Sequence, residues 1–266
     1  MKYYVITDIH SFFSLAKKAL EEKGFFDEKE ECKVIICGDL IDRGTELFEL
    51  TEFILDLKKK GQVILIRGNH EDLLERLLDD VLYGDLYGFE TGTSYHVTNG
   101  TWQTALTLSG LDEAYALAHT KELVAKVKAS DFYRKIMPDM LDYYETENYI
   151  FTHGYIPVSC QDGNTVYRSY KRYYFNKDWR EASSTDWQNA RWYNGMEFVC
   201  KRHLLVNGKT VVCGHWNCSY GHAEIDHKCS EYGKNAIFEP FYSQGIIALD
   251  SCAKFSKKMN CIVIED

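Results

Sequence analysis

The first eighty residues alternate between short apolar runs and amphipathic stretches. Residues 3–7 are rich in β-formers and lead directly into Asp8. Phe12, Leu15, Ala16, Ala19 and Leu20 then recur at helical spacing, and Gly24 stands where a helix-terminating glycine belongs. Val34, Ile35, Ile36 and Cys37 form a wholly apolar run, as in a strand covered on both faces. Leu47, Leu50, Ile54 and Leu57 predict a second helix, closed by Lys58, Lys59, Lys60 and Gly61, whose charges suit the negative C-terminal pole. Residues 63–66 read as a third strand, and Leu73, Leu74, Leu77 and Leu78 open a third helix. Three strand–helix pairs in a row predict right-handed βαβ units over a parallel sheet.

Past residue 84 the periodicity weakens. Residues 84–104 carry Gly and Thr and read as a long loop, and helices are expected over 106–117 and 123–137. Strands return at 149–152, 210–213 and 246–249, whereas 167–202 is dense in Tyr, Trp, Arg and Lys and follows no single period. No repeat or low-complexity tract divides the chain, so a single domain over 1–266 is expected, with a cap-like region over roughly 84–145 and 160–205.

Composition narrows the class. Apolar residues make up 45% of the 266 and charged residues 27%, the balance of a globular protein rather than a disordered one. The net charge of −9 argues against general nucleic-acid binding, which draws on Lys and Arg against phosphates. No apolar stretch approaches the roughly 20 residues of a membrane span, and the charged N-terminus is not that of a signal peptide. Nine cysteines, odd in number and without a C-x-x-C pair, fit reduced thiols in a cytoplasmic protein. Cys37 and Cys213 end apolar runs and are expected to pack as small hydrophobes.

Polar residues cluster where the strands end: Asp8 and His10, then Asp39, Asp42 and Arg43, then Asn69, His70 and Glu71, and later His153 and His215. Ligand sites in open α/β sheets collect beyond the carboxyl ends of strands, so these clusters should converge. A mixed Asp, His and Asn set suits borderline divalent metals such as Mn, Fe or Zn, and lacks the thiolates of a structural zinc site.

The blocks D-x-H, G-D-x-x-D-R-G and G-N-H-E, followed by two histidines each beside a glycine, resemble the calcineurin-like metallophosphoesterases over residues 3–252. The likeness is strongest to the phosphoprotein-phosphatase branch, which includes bacterial Ser/Thr phosphatases and symmetrical diadenosine-tetraphosphate hydrolases. It implies two mixed β-sheets in a sandwich flanked by helices, with a dinuclear metal site at the strand ends. Asp8, His10 and Asp39 would hold one divalent ion, and Asp39, Asn69, His153 and His215 the other, with Asp39 bridging and manganese the favoured metal. Arg43 would bind phosphate oxygens, and His70, oriented by Asp42, would protonate the leaving group. A second phosphate-binding arginine lies between the two late histidines in the family. Arg191, in a W-x-x-x-R-like segment, is favoured here, Arg168 is the reserve, and Arg172 and Arg180 remain candidates.

The chain departs from the family at two places. Ser11 replaces the glycine that follows D-x-H, where it can serve as a helix cap. Asn217 replaces the last histidine of the G-H-x-H found in nuclease and phosphodiesterase branches, which favours phosphomonoester hydrolysis. His222 and His227 follow closely but have no ligand spacing, and His96, His119 and His203 stay unassigned. The aromatic and basic run 167–175 could line a phosphate-rich or base-stacking cleft, or pack as a cap. The activity implied is hydrolysis of a phosphoprotein or small phosphomonoester by a water activated between metals. The alternatives are a dinucleoside-polyphosphate hydrolase and, more remotely, a silent phosphate- or nucleotide-sensing module. The expected partner is a phosphorylated protein or a small-molecule or nucleotide substrate.

Overall fold

A computed structural model describes residues 1–165, 168–175 and 178–266, with side chains described outside 162–170. The predicted opening is present: β1 (Lys2–Ile6), α1 (Phe13–Glu22), β2 (Cys32–Cys37), α2 (Leu47–Lys59), β3 (Val63–Ile66) and α3 (Asn69–Leu82). Strands β1, β2 and β3 pair in parallel, as the βαβ pattern requires. The last strand of the chain, β11 (Ile262–Glu265), completes this sheet by pairing antiparallel with β1.

A second sheet is built from the later strands. It runs β4 (Tyr143–Glu145), β5 (Tyr149–Thr152), β8 (Thr210–Cys213), β10 (Ile246–Ala248) and β9 (Phe241–Ser243). Its centre, β5–β8–β10, is parallel and its two edges are antiparallel. Both sheets are therefore mixed, each with a parallel interior whose strands point the same way. Between β5 and β8 the chain forms a hairpin of β6 (Val158–Thr165) and β7 (Arg168–Phe175). The run 167–175 is thus largely the second strand of this hairpin; Tyr167 and the Arg168 side chain lie outside the described residues.

The sheets stack through one shared apolar layer. Val5, Ile35 and Ile66 from the first sheet meet Phe151, Val212 and Leu249 from the second, all buried to within 1%. Alternate residues on the same strands, such as Ile6, Val34 and Leu65, face outward onto a larger core made with α1, α2 and α3. Where they are covered on both faces, at 34–37 and 63–66, the strands carry no polar side chain, which is why these runs are continuous rather than alternating.

The region read as loop and long helices is more broken. Residues 84–104 include α4 (Tyr95–Asn99) and the start of α5 (Thr101–Ser109). Gly110, in the left-handed conformation, ends α5, and Asp112 caps α6 (Glu113–Ala118), so the expected helix over 106–117 is two helices. The expected helix over 123–137 is α7 (Thr120–Ala129) followed by a wide turn over Phe132–Ile136. The short segments lost their period because Gly100 and Gly110 interrupt it every ten residues. After the hairpin, α8 (Ser184–Ala190) opens on a capping box between Ser183 and Asp186, and α9 (Cys218–Glu224) follows β8. All nine cysteines are free, and Cys37 and Cys213 are buried as expected. Among the described residues no helix is long and apolar enough to cross a membrane.

Phe151 sits at the centre of the layer between the sheets. Truncation there leaves a cavity that neither rigid sheet can fill. Phe151→Ala is expected to lower unfolding stability by about 3–5 kcal/mol. Urea unfolding of the two proteins checks this, and a loss below about 1 kcal/mol would mean the sheets close over the gap.

Candidate metal centre

Six parallel strands from two sheets end at the same place, and each is followed by a polar residue. Asp8 follows β1, Asp39 follows β2, Asn69 follows β3, His153 follows β5, His215 follows β8 and Asp250 follows β10. The first five were expected. Asp250 was not, although it obeys the same rule as Asp8: an apolar strand running into an aspartate. It is 5% exposed, its Oδ1 accepts the Cys252 amide at 2.7 Å, and burial pushes its carboxyl up to about 6.

The loops at these ends are bent into a conformation that side chains resist. Asp8, His10, Ser11, Asp39, Asp42, Arg43 and His215 all have positive φ, between 48° and 74°. Each such residue costs of order 1–3 kcal/mol and persists only where its surroundings hold it. Two glycines show how tightly they are held. A Cβ on Gly214 would overlap the Asp8 carboxylate and Thr7, and one on Gly68 would overlap the Asp39 carboxylate. The glycines in G-N-H-E and beside His215 are thus needed for close approach.

Asp39 is the hub. His70 donates its backbone N–H to Asp39 Oδ1 at 3.0 Å from the first turn of α3, where the helix dipole favours an anion. His153 Nε2 lies 3.3 Å from Oδ1, and His10 and His70 Nε2 lie 3.5 and 3.8 Å from Oδ2. Asp39, His153 and His215 form one group with converging ligand atoms, and Asp39, His10 and His70 another. Burial alone would raise the Asp39 carboxyl, but it is held well below the usual carboxylate range wherever the surrounding imidazoles of His153, His70, His10 and His215 carry a proton.

The histidines divide by their other ring nitrogen. His10 Nδ1 donates to the Ile41 carbonyl at 2.9 Å and His153 Nδ1 to the Cys37 carbonyl at 2.8 Å, while the His215 ring bonds the Trp192 backbone. Burial lowers the pKa of all three, that of His215 to about 3, so they stay neutral. The Nε2 lone pair of His153 then faces two further acceptors, Asn69 Oδ1 at 2.8 Å and Asp39 Oδ1. Three such acceptors converge on a space that a cation would fit. Asp8, buried beside the carboxylates of Asp250 and Asp39, has its pKa driven well up, a further sign of negative charge lacking a counter-ion. The donor set fits a divalent metal site.

His70 differs. Its Nδ1 bonds Asp42 Oδ2 at 2.5 Å, and although burial opposes the charged form, Asp39 and Asp42 raise its pKa. Asp42 is itself fixed by the hydroxyls of Thr101 at 2.8 Å and Thr104 at 2.6 Å, both from α5. Their role escaped the sequence, since they are about sixty residues distant and sit at the edge of the segment read as loop. Glu71 accepts the amides of Gly68, Leu40 and Asp39 at 2.8, 2.8 and 3.1 Å, tying the two motif loops together.

The arginines are placed unequally. Arg43 is exposed, and its Nη2 reaches His70 Nε2 at 3.0 Å, so its guanidinium stands over the centre and open to solvent. Arg191 lies near His153 but is buried, with Nη1 on Asp72 at 2.6 Å and Nη2 on Asp142. Its expected grip on phosphate meets a guanidinium already held by two carboxylates. Arg180 pairs with Glu145 at 2.7 and 2.6 Å, and Arg172 is exposed on β7. Asn217 serves as the N-cap residue of α9, His222 bonds the Glu239 carbonyl at 3.1 Å, and His227 is exposed.

Comparison with known proteins bears on this arrangement. A sequence from Bacillus subtilis, the asymmetrical bis(5′-nucleosyl)-tetraphosphatase PrpE, is 25% identical over 196 residues, 67% of this chain and 77% of that enzyme. A symmetrical bis(5′-nucleosyl)-tetraphosphatase of Buchnera aphidicola is 35% identical over 71 residues, covering 27% of this chain and 24% of that one. Among solved structures, a cold-active protein tyrosine phosphatase superposes with a TM-score of 0.54 at 16% identity, over 99% of this chain and 73% of the other, which shows a common fold. The profile of the calcineurin-like phosphoesterases matches residues 1–219. With that match over most of its length, and with acidic and imidazole ligands gathered at the strand ends, the chain belongs to the calcineurin-like phosphoesterase family.

Proposed function

We propose that this protein is a phosphomonoesterase in which Asp8, His10, Asp39, Asn69, His153 and His215 hold two divalent ions, manganese foremost, with Asp39 shared between them. The observation that carries this reading is the split among the four histidines. Three are neutral with lone pairs turned inward, and one is biased toward its charged form. Bound divalent ions would supply the positive charge that lowers the pKa of an attacking water and offsets the charge on the phosphoryl oxygens.

The remaining chemistry belongs to the chain. Arg43 presents a planar, exposed guanidinium to the phosphoryl oxygens. In the substrate-free arrangement its Nη2 lies 3.0 Å from His70 Nε2, where its charge opposes protonation of that nitrogen; a phosphoryl group that draws Arg43 away lets Nε2 take up a proton from solvent. His70, held through Nδ1 by Asp42, then carries a proton at Nε2 for the departing oxygen. Asp42 fixes the ring and stabilises the imidazolium, and Thr101 and Thr104 fix Asp42. Arg191 supports the site by linking α3 to the segment before β4 through Asp72 and Asp142, and would have to release one of them to bind phosphate.

A second reading, cleavage of a dinucleoside polyphosphate, has support from the relatives named for that activity. The same groups serve it, because an anhydride also expels an oxyanion beside a phosphoryl centre.

The metal assignment predicts that Asp39→Asn loses metal at both positions while His10→Ala loses mainly one, as read by metal analysis after dialysis. Two ions retained per chain in Asp39→Asn would rule out sharing.

A pH dependence follows from the carboxylates. Asp8, which would hold an ion, is raised, and Asp250 beside it lies at about 6, so a cation competes with protons on this pair, whereas His10, His153 and His215 are neutral already. Metal affinity should therefore fall as pH drops through 6, with proton release on binding. Calorimetry in two buffers of different ionisation enthalpy measures that release, and a pH-independent affinity would contradict the assignment.

The acid assignment predicts a loss that depends on the leaving group. His70→Asn should cost about 10²–10⁴-fold on a phosphoserine peptide and clearly less on p-nitrophenyl phosphate, whose phenolate departs unprotonated. Arg43→Ala should weaken inhibition by free phosphate with metal content unchanged. Equal losses of His70→Asn on both substrates would leave His70 a positioning residue.

A further inference from the structure

Two tryptophans stand against the centre in a way that the hydrolytic chemistry leaves unused. The rings of Trp192 and Trp216 have centroids 5.6 and 6.4 Å from that of His215 and are inclined to it by 86° and 73°. They are 42% and 36% exposed, whereas the other three tryptophans of the chain, Trp102, Trp179 and Trp187, are buried to 5% or less. Exposure is thus a property of this place rather than of indoles in this protein.

Both are nevertheless held in position. The Trp192 backbone bonds the His215 ring, and its amide donates to Asn189 at 3.1 Å. The Trp216 amide donates to Gly214 at 2.7 Å, and its ring meets the edge of buried Tyr220 at 5.6 Å. The backbone is fixed and much of each ring remains open. That is the preorganisation expected of a binding surface, since ordering the side chains costs little when a ligand arrives.

We propose that Trp192 and Trp216 form a stacking platform for a planar aromatic group carried by the phosphorylated substrate. The proposal rests on the reading of this centre as the site of phosphoester hydrolysis. A phosphoryl group seated beside His215 leaves its substituent next to the indoles. A flat ring there gains dispersion and quadrupole attraction from an indole face, and a serine or sugar substituent does not. Two substituents share this chemistry: the base of a nucleotide and the phenyl ring of phosphotyrosine. The platform selects for either over aliphatic phosphate esters.

The test compares the manganese-loaded enzyme with Trp192→Leu, Trp216→Leu and Trp192→Phe on diadenosine tetraphosphate, phosphotyrosine and phosphoserine. The specificity ratio, kcat/KM for the preferred aromatic substrate over that for phosphoserine, is expected to fall about 5- to 150-fold in the leucine variants, chiefly through KM. Trp192→Phe should recover part of it. Indole fluorescence should be quenched by adenosine monophosphate or by phosphotyrosine, whichever source the platform takes, and Trp192→Leu should reduce that quenching.

A uniform loss on all three substrates, or an unchanged ratio, would show that the tryptophans only support His215 and would overturn the platform. So would the absence of quenching by both probes. The quenching needs no turnover, so it decides the platform even if the unaltered enzyme hydrolyses none of the three substrates. That last result would instead count against the phosphoesterase reading.

Discussion

A single buried carboxylate organises this protein. Asp39 lies 2% exposed at the meeting point of two sheets, where an unpaired negative charge would be costly. It is tolerated in part because the first turn of α3 points an N–H and the positive end of its dipole at Oδ1, and because His70, the imidazole biased toward its charged form, lies 3.8 Å from Oδ2. Glu71 gathers the amides of both adjoining loops, including that of Asp39 itself, so the carboxylate cannot turn away.

That arrangement has a conformational consequence. Ligand atoms can converge on Asp39 only if each loop reverses sharply within two or three residues of its strand, and the left-handed backbone at Asp8, His10, Asp39 and His215 is how it does so. The strain is spread over loops anchored by rigid parallel strands on both sides. Glycine is found where the backbone must approach a carboxylate, and aspartate or histidine where a ligand must project. Strain, glycine placement and ligand identity are one feature seen three ways.

The same economy governs the residues around the ligands. Asp42 is buried but satisfied by one histidine and two threonines, and this lets it bias His70 toward the charged form against the effect of burial. Arg43 and Arg191 carry the same charge to the same neighbourhood with different consequences. One is exposed and rests on His70. The other is buried between Asp72 and Asp142 and joins α3 to the second sheet. Burial and partners, not residue type, separate the two arginines.

The local sequence determined the βαβ opening, since the strands at 34–37 and 63–66 are continuous apolar runs and the helices between them keep a strict period. It also determined the family, because D-x-H, G-D-x-x-D-R-G and G-N-H-E are short blocks whose residues act within a few positions of one another. Tertiary structure decided what depends on distance along the chain. Thr101 and Thr104 meet Asp42 across about sixty residues, Arg191 meets Asp72 across more than a hundred, and Trp192 meets His215 across more than twenty. Asp250 falls between the two cases. Its strand was legible at 246–249, but only the parallel pairing of β10 with β8 brings the end of that strand to the centre. A periodic pattern records which face of an element is buried; it carries no information about which other element lies opposite, and that is where charge, exposure and substrate access are set.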